Sequence, residues 1–248
     1  MIFREGRDSV AVLRLEHGKA NALDLELLRE LRLQLENLPG EARAVILTGT
    51  DTIFSAGIDL PRLLDEGVDY VDPLITALND LLERFVGLSL PVVAAVNGHA
   101  IAGGFVLACA CDVRLMASGP GKVGLTELRV GVPFPPTVLA IVGAVVGRRE
   151  LREMVYRGRL YPATEAAQRG MVDELVPPDE LLDRAVETAT ELGAVAPRAF
   201  ALTKRQLLEP TLRHLERLEA SFEDEVRQMW GAETTRERIR RFVQERLG

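Results

Sequence analysis

The chain has 248 residues, 47% hydrophobic and 27% charged, proportions suited to one sizeable globular core. Its formal net charge of −7 argues against a general nucleic-acid binder, which carries a basic face, and leaves room only for a local basic patch on a phosphorylated ligand. No apolar run is long enough to span a membrane, and residues 1–16 read as strands rather than as a charged-then-apolar leader. Residues 2–6 and 10–16 give a hairpin pattern around Glu5-Gly6-Arg7-Asp8. A helix is expected over Asp24–Leu38, with Asp24 as its cap, Leu28, Leu31, Leu35 and Leu38 on one face, and Pro39-Gly40 as its stop. Ala44–Thr48 reads as a buried strand, Pro73–Val86 as a helix with Leu74, Leu78, Leu81 and Phe85 on one stripe, and Pro91–Val96 as a second buried strand. Gly103–Cys111 reads as a helix and Val113–Ala117 as a short strand. Strands alternating with helices imply an α/β fold with a mostly parallel sheet covered on both faces. After Pro136 helices dominate (138–146, 149–157, 164–169 and 179–192), interrupted by a strand near 172–176. From Pro197 the chain is helical and more charged, keeping an apolar face with Leu207, Leu212, Leu215, Leu218 and Phe222. These patterns divide the chain into an α/β core, residues 1–195, and a helical appendage, residues 196–248, expected to pack on a neighbouring subunit. No internal sequence repeat stands out.

The two cysteines, Cys109 and Cys111, sit one residue apart in an apolar segment. A disulfide between them would be strained, so buried free thiols in a reducing cytoplasm are expected. His17, His99 and His214 lack metal-ligand spacing, and His99 reads as structural. Gly98–Gly104 starts like a phosphate-cradling loop, but Gly104 stands where the lysine would be and no Ser/Thr follows. No G-x-S-x-G elbow is present.

Two glycine-bearing turns remain. Phe54-Ser55-Ala56-Gly57-Ile58-Asp59-Leu60 and Asn97-Gly98-His99-Ala100-Ile101-Ala102-Gly103-Gly104-Phe105 each follow a buried apolar run and lead into a helix. One backbone N–H from each could converge on a single oxygen, the anatomy of an oxyanion hole. Gly103-Gly104 at a helix start would bare its N–H groups to a ligand, aided by the helix dipole. The alternative is a tight strand–helix turn whose glycines serve packing only.

The same stretches, with Cys111-Asp112, Gly124-Leu125-Thr126-Glu127-Leu128 and Gly131-Val132-Pro133, resemble the enoyl-CoA hydratase/isomerase (crotonase) superfamily, collinearly over essentially the whole chain. The resemblance implies a spiral core of ββα-like units, a homotrimer or homohexamer, and an acyl-CoA thioester substrate. It assigns the oxyanion donors to the N–H groups of Ile58 and Gly103. It lines the CoA channel with Ser55, Ala56, Asp59 and Leu60, and lays the 19–23 loop, with Ala20 and Ala22, on the same ligand. Asp59 reads equally well as the cap of the following helix. Lys19, Arg62 and Lys204 are the candidates for the CoA 3′-phosphate. No metal or redox cofactor is implied, since CoA arrives with the substrate.

One departure is informative. Hydratases of this family carry two catalytic glutamates, and Val106 occupies the position of the first, while Glu127 keeps the second. Two carboxylates divide the work of adding water across a double bond, and valine can do neither part. One carboxylate suffices to move a proton from C2 to C4 of a 3-enoyl thioester, as in members resembling Δ3,Δ2-enoyl-CoA isomerases. Leu125, Val132, Phe134 and Val106 would give Glu127 apolar surroundings. On composition alone Glu127 would be a surface glutamate at a helix start. Three other readings remain. A hydratase could recruit a carboxylate from Asp65-Glu66-Asp69-Asp72, a run that otherwise reads as a solvated loop. A CoA-binding homologue could lack activity. An RNA binder would need a basic stripe with aromatic partners, but the chain has one tryptophan, Trp230, and three tyrosines.

Overall fold

The computed structural model describes residues 1–246, with the side chains of residues 212, 214, 216, 219, 220 and 246 excepted; the readings of Leu212 and His214 fall outside the described side chains. The chain opens with strands β1 (Ile2–Arg7) and β2 (Val10–Leu15), paired antiparallel, followed by helix α1 (Leu25–Glu36). Asp24 caps α1 by accepting from the Leu27 N–H at 2.8 Å. Asn37 ends it, its N–H bonded to Leu33 O, so the helix stops two residues short of the expected Leu38.

Three units of strand, strand and helix then repeat. The first is β3 (Ala44–Thr48), β4 (Ile53–Ser55) and α2 (Leu60–Glu66); a 3₁₀ turn, Val68–Tyr70, and α3 (Val71–Gly87) link it to the next. The second is β5 (Val92–Val96), β6 (His99–Ile101) and α4 (Gly103–Ala110). The third is β7 (Val113–Ala117), β8 (Lys122–Gly124) and α5 (Glu127–Val130). After them come α6 (Pro136–Arg157), β9 (Tyr161–Pro162), α7 (Ala163–Gln168), β10 (Glu174–Val176), α8 (Leu181–Gly193), α9 (Pro197–Gly231) and α10 (Glu233–Arg246). The α6 span holds a kink at Gly147, φ 77°, which restores the two helices expected on either side of it.

The first strand of each unit enters a six-stranded sheet of order β1-β2-β3-β5-β7-β10, parallel from β2 onward. The second strand enters a four-stranded sheet, β4-β6-β8-β9, whose first three strands are parallel. This is the spiral of ββα units that the family resemblance implied, a structural repeat without a sequence repeat.

Both faces of the sheet are buried at its central strands β3 and β5, which is why these read as near-continuous apolar runs. Val45 and Leu47 of β3 face the main core with α1, α3 and α4. Ala44 and Ile46 face a smaller core with Leu181, Ala185 and Ala189 of α8. Asn97 stitches the corner between the first two units, accepting from the Gly49 N–H at 2.9 Å and donating to Thr50 O at 3.0 Å.

Within its own chain the tail is packed: α9 lies on α6 and α3, and α10 on α2, α5 and α9. The ties are specific. Lys204 Nζ donates to Asp112 Oδ2 at 2.8 Å, Trp230 Nε1 to Pro133 O at 2.9 Å, and Arg236 Nη2 to Leu64 O at 3.1 Å. The acidic run differs from expectation: Asp65 and Glu66 lie in α2, Asp69 in the 3₁₀ turn and Asp72 in α3, so it is helical rather than a loop. Among the described residues no helix is long and apolar enough to cross a membrane, and no three His, Cys, Asp or Glu side chains could together hold a metal ion.

Candidate active site

Three adjacent parallel strands, β4, β6 and β8, end side by side in the small sheet, with Ser55 in register with Ala100, and Ile101 with Gly124. Each runs directly into a turn. The first turn carries Ile58, the second Gly103, and the third Glu127. Ligands of parallel sheets bind outside the carboxyl ends of the strands, and these three residues share that edge.

The Ile58 turn is held by Leu23. The Leu23 N–H donates to Gly57 O at 2.8 Å, and its carbonyl accepts from the Asp59 N–H at 3.1 Å. This parallel bridge uses the amides on either side of Ile58 and leaves the Ile58 N–H out. The Gly103 N–H opens α4 and has no acceptor there either. The two amides are close: a Cβ on Gly57 would lie 2.9 Å from Gly103 N, and a Cβ on Gly103 would lie 3.7 Å from Ile58 N. Gly57 has φ 85°, so glycine is required there on backbone grounds as well. Ala102, just before Gly103, holds φ 52° and ψ −125°, a strained conformation for alanine. Its N–H donates to Gly124 O at 2.8 Å and its carbonyl accepts from the Val106 N–H at 3.1 Å, which locks the turn to β8 and α4. Two neighbouring free N–H groups at a helix start can hold one negatively charged oxygen.

Glu127 is the first residue of α5, a single turn closed by Gly131 in the left-handed conformation. The residue is partly exposed, but its carboxylate end is not: Oε2 is buried and has no hydrogen-bond partner. Burial raises its pKa from the ordinary 4.5 to about 7, against the opposing pull of the Glu127 and Thr126 backbone amides. Leu125, Val132, Phe134 and Val106 are all buried in the main core, as the sequence suggested. Val106 is 1% exposed.

The other expected site residues divide. Ala20 and Ala22 sit beside the Ile58 turn, with Ala20 O accepting from the Ala56 N–H at 3.0 Å; Ala56 is exposed and Leu60 half-buried. Ser55 is a correction. Its side chain is fully buried, donates to Asn21 O at 2.7 Å and accepts from the Gly57 N–H at 3.2 Å, so it braces the turn and offers no hydroxyl to a channel. Asp59 adopts its capping alternative, accepting from the Arg62 N–H at 3.0 Å. Of the phosphate candidates, Lys204 is buried on Asp112, and Arg62 is engaged by Asp24 and Glu26. Lys19 is exposed. His99 is confined to β6, its N–H donating to Thr52 O at 2.9 Å. Cys109 and Cys111 are free and buried, their thiol pKa values pushed up by burial.

Sequence reasoning missed Asn21 as a building element of the site. It is buried with φ 46°, donates through Nδ2 to Phe54 O at 3.2 Å, and accepts from the His17 N–H at 2.8 Å. An asparagine tolerant of positive φ amid small residues was the available signal.

Known proteins share this arrangement. The family model for enoyl-CoA hydratase/isomerase matches residues 5–247. Mitochondrial enoyl-CoA delta isomerase 1 of Mus musculus is 32% identical over 219 residues, 87% of this chain and 76% of that protein. A candidate enoyl-CoA hydratase of Thermus thermophilus is 35% identical over 195 residues, 77% of this chain and 76% of that one. The crystal structure of human mitochondrial delta3-delta2-enoyl-CoA isomerase superposes with a TM-score of 0.93 at 27% identity, covering 98% of this chain and 97% of that one. The ββα spiral, the paired amides at adjacent strand ends and a family match spanning nearly every residue lead to one conclusion: the chain belongs to the enoyl-CoA hydratase/isomerase family.

Proposed function

We propose that the chain is an acyl-CoA isomerase that moves a double bond from the 3- to the 2-position of an enoyl thioester. The observation that carries this is Glu127: a carboxylate whose buried Oε2 has no hydrogen-bond partner, with a pKa of about 7, on the same strand-end edge as two free amides. Bound with its thioester oxygen between the Ile58 and Gly103 N–H groups, the substrate acquires a more acidic C2 proton. Glu127 takes that proton and the electrons delocalise into a dienolate whose negative oxygen the two amides hold. Glu127 then returns the proton to C4, which leaves the double bond between C2 and C3. One donor of such a pair is commonly worth ~10²–10³ in rate. A pKa near 7 keeps the carboxyl both basic enough to take a proton and acidic enough to return it. The reaction draws on no cofactor of the protein's own.

A hydratase would need a second carboxylate. Val106 is apolar and buried, and the acidic run lies exposed, with Glu66 on Arg62 and Asp72 on Arg227. Relatives described as hydratases keep the test worthwhile. Isomerisation of 3-hexenoyl-CoA and hydration of crotonyl-CoA, assayed on one preparation, decide it. Isomerisation is expected to dominate by a wide margin. Efficient hydration with 3-hexenoyl-CoA untouched would overturn the assignment. The family resemblance also supports a homotrimer or homohexamer. The two free thiols support a reducing, cytoplasmic setting.

A further inference from the structure

We propose that Arg62 is a positioning residue for this reaction, acting through Asp24 to fix the direction of the Ile58 N–H; the inference rests on the isomerase reading of the site. The Ile58 amide hangs between the starts of two helices. Leu23 grips it from one side, and Leu23 is followed at once by Asp24, the cap of α1. On the other side Asp59 follows Ile58 and caps α2. The direction of the Ile58 N–H therefore depends on how these two helix starts lie against each other.

One side chain crosses between them. Arg62 Nη1 donates to Asp24 Oδ2 at 3.2 Å and Arg62 Nη2 to Glu26 Oε1 at 2.6 Å, joining the first turn of α2 to the first turn of α1. The guanidinium carbon lies 5.9 Å from the centroid of the Tyr70 ring, and the Tyr70 hydroxyl accepts from the Leu25 N–H at 2.9 Å. The ring thus ties the 3₁₀ turn to the same helix start. Asp24 is 3% exposed at its side chain, and besides Arg62 its carboxylate meets the Leu27 N–H and His17 Nε2, the latter at 2.7 Å. A carboxylate buried this deeply needs a charged partner, and arginine supplies one that does not deprotonate. The fork geometry matters more than the charge alone, since it fixes an angle as well as a distance. A backbone donor cannot be tuned by its own side chain, so its aim must come from such supports.

The test compares Arg62→Met and Arg62→Lys with the wild-type protein, full-length and in its native assembly. Two quantities are read: kcat and KM for 3-hexenoyl-CoA, and affinity for acetoacetyl-CoA. The latter ionises to an enolate with the negative oxygen where the dienolate would carry it, and its ultraviolet absorption reports the ionised form. Arg62→Met is expected to lower kcat by ~10-fold with KM changed less than ~3-fold, in keeping with the cost of a small misalignment. The same variant should lose ~10-fold in enolate affinity relative to the neutral ligand. Arg62→Lys should recover part of both. A variant that melts earlier yet, where folded, keeps wild-type kcat and enolate preference would show a merely structural role and overturn the proposal. Should Arg62→Met fail to fold, Arg62→Lys gives the same readouts, and wild-type values there also overturn it. A wild-type protein that neither isomerises nor prefers the enolate would fail the functional reading itself, which is a different result from an Arg62-specific one.

Discussion

Glu127 costs the folded protein stability above neutral pH. Its carboxyl is ordinarily ionised above about 4.5, but here burial raises that value to about 7. The folded state therefore binds a proton more tightly than the unfolded chain does. The corresponding stability is fully present below about pH 4.5 and is lost as pH rises through 7. The difference amounts to roughly 3 kcal/mol at alkaline pH. Glu127→Gln should accordingly raise the melting temperature at pH 8 and change it little at pH 4.5, a sign opposite to that of most core substitutions. The same variant should lose at least ~10² in isomerase kcat with acyl-CoA affinity little changed, because the base is gone while the amide pair remains. Wild-type kcat should rise with pH through about 7, as the carboxylate becomes free to accept a proton. Near-full turnover in Glu127→Gln would place the base elsewhere. This residue was legible only through its surrounding motif; a glutamate opening a short helix normally faces water. The burial of its Oε2 is a product of tertiary packing, which a four-residue helix does not reveal locally. Ser55 misled for the same reason, since its partner Asn21 lies 34 residues away.

At the scale of elements, the first strand of each ββα unit could be read and the second could not. Ala44–Thr48 and Val113–Ala117 match their strands to the residue, because burial on both faces makes them mostly apolar runs, Arg114 being the buried exception that pairs with Asp173. The strands β4, β6 and β8 have three residues each and β9 has two, too few for any period to show. What fixes them is pairing with one another. That pairing also brings Ile58, Gly103 and Glu127 to one edge, so much of the geometry of the proposed site was hidden while its residues were in view. β4 and α4 meet at close quarters, where a Cβ on Gly104 would fall 2.2 Å from Ser55 O. Backbone meets backbone there, and no side chain can yield. Gly104→Ala should therefore destabilise by at least ~2 kcal/mol, at the high end for a single added methyl, and should reduce kcat in whatever fraction folds. A denaturant midpoint unchanged from wild type would mean that the two elements are free to part.

Across the whole molecule, the helical tail had the least legible role. Its amphipathic pattern announces that something will be covered, but not whose surface. In the structure α9 and α10 cover their own core, fastened at Asp112, Pro133 and Leu64. The fastening at Pro133 lies two residues past Gly131, which closes the Glu127 turn, so the tail braces the segment that follows Glu127. Trp230 reports on this contact directly. It is the chain's one tryptophan, it is 5% exposed, and its indole N–H donates to Pro133 O within the same chain. Buried indole emits at shorter wavelength than hydrated indole, so the intrinsic fluorescence should be blue-shifted. The environment of Trp230 is set by its own chain, and the emission maximum should hold steady on dilution through the concentration range in which light scattering shows the assembly dissociating. Trp230→Phe should retain most of the packing, lose about 1 kcal/mol with the hydrogen bond, and lower kcat modestly as the Pro133 segment loosens. A red shift that tracks dissociation would instead mean that a neighbouring subunit completes the burial of Trp230, and that the tail packs across the interface as its amphipathic pattern first suggested.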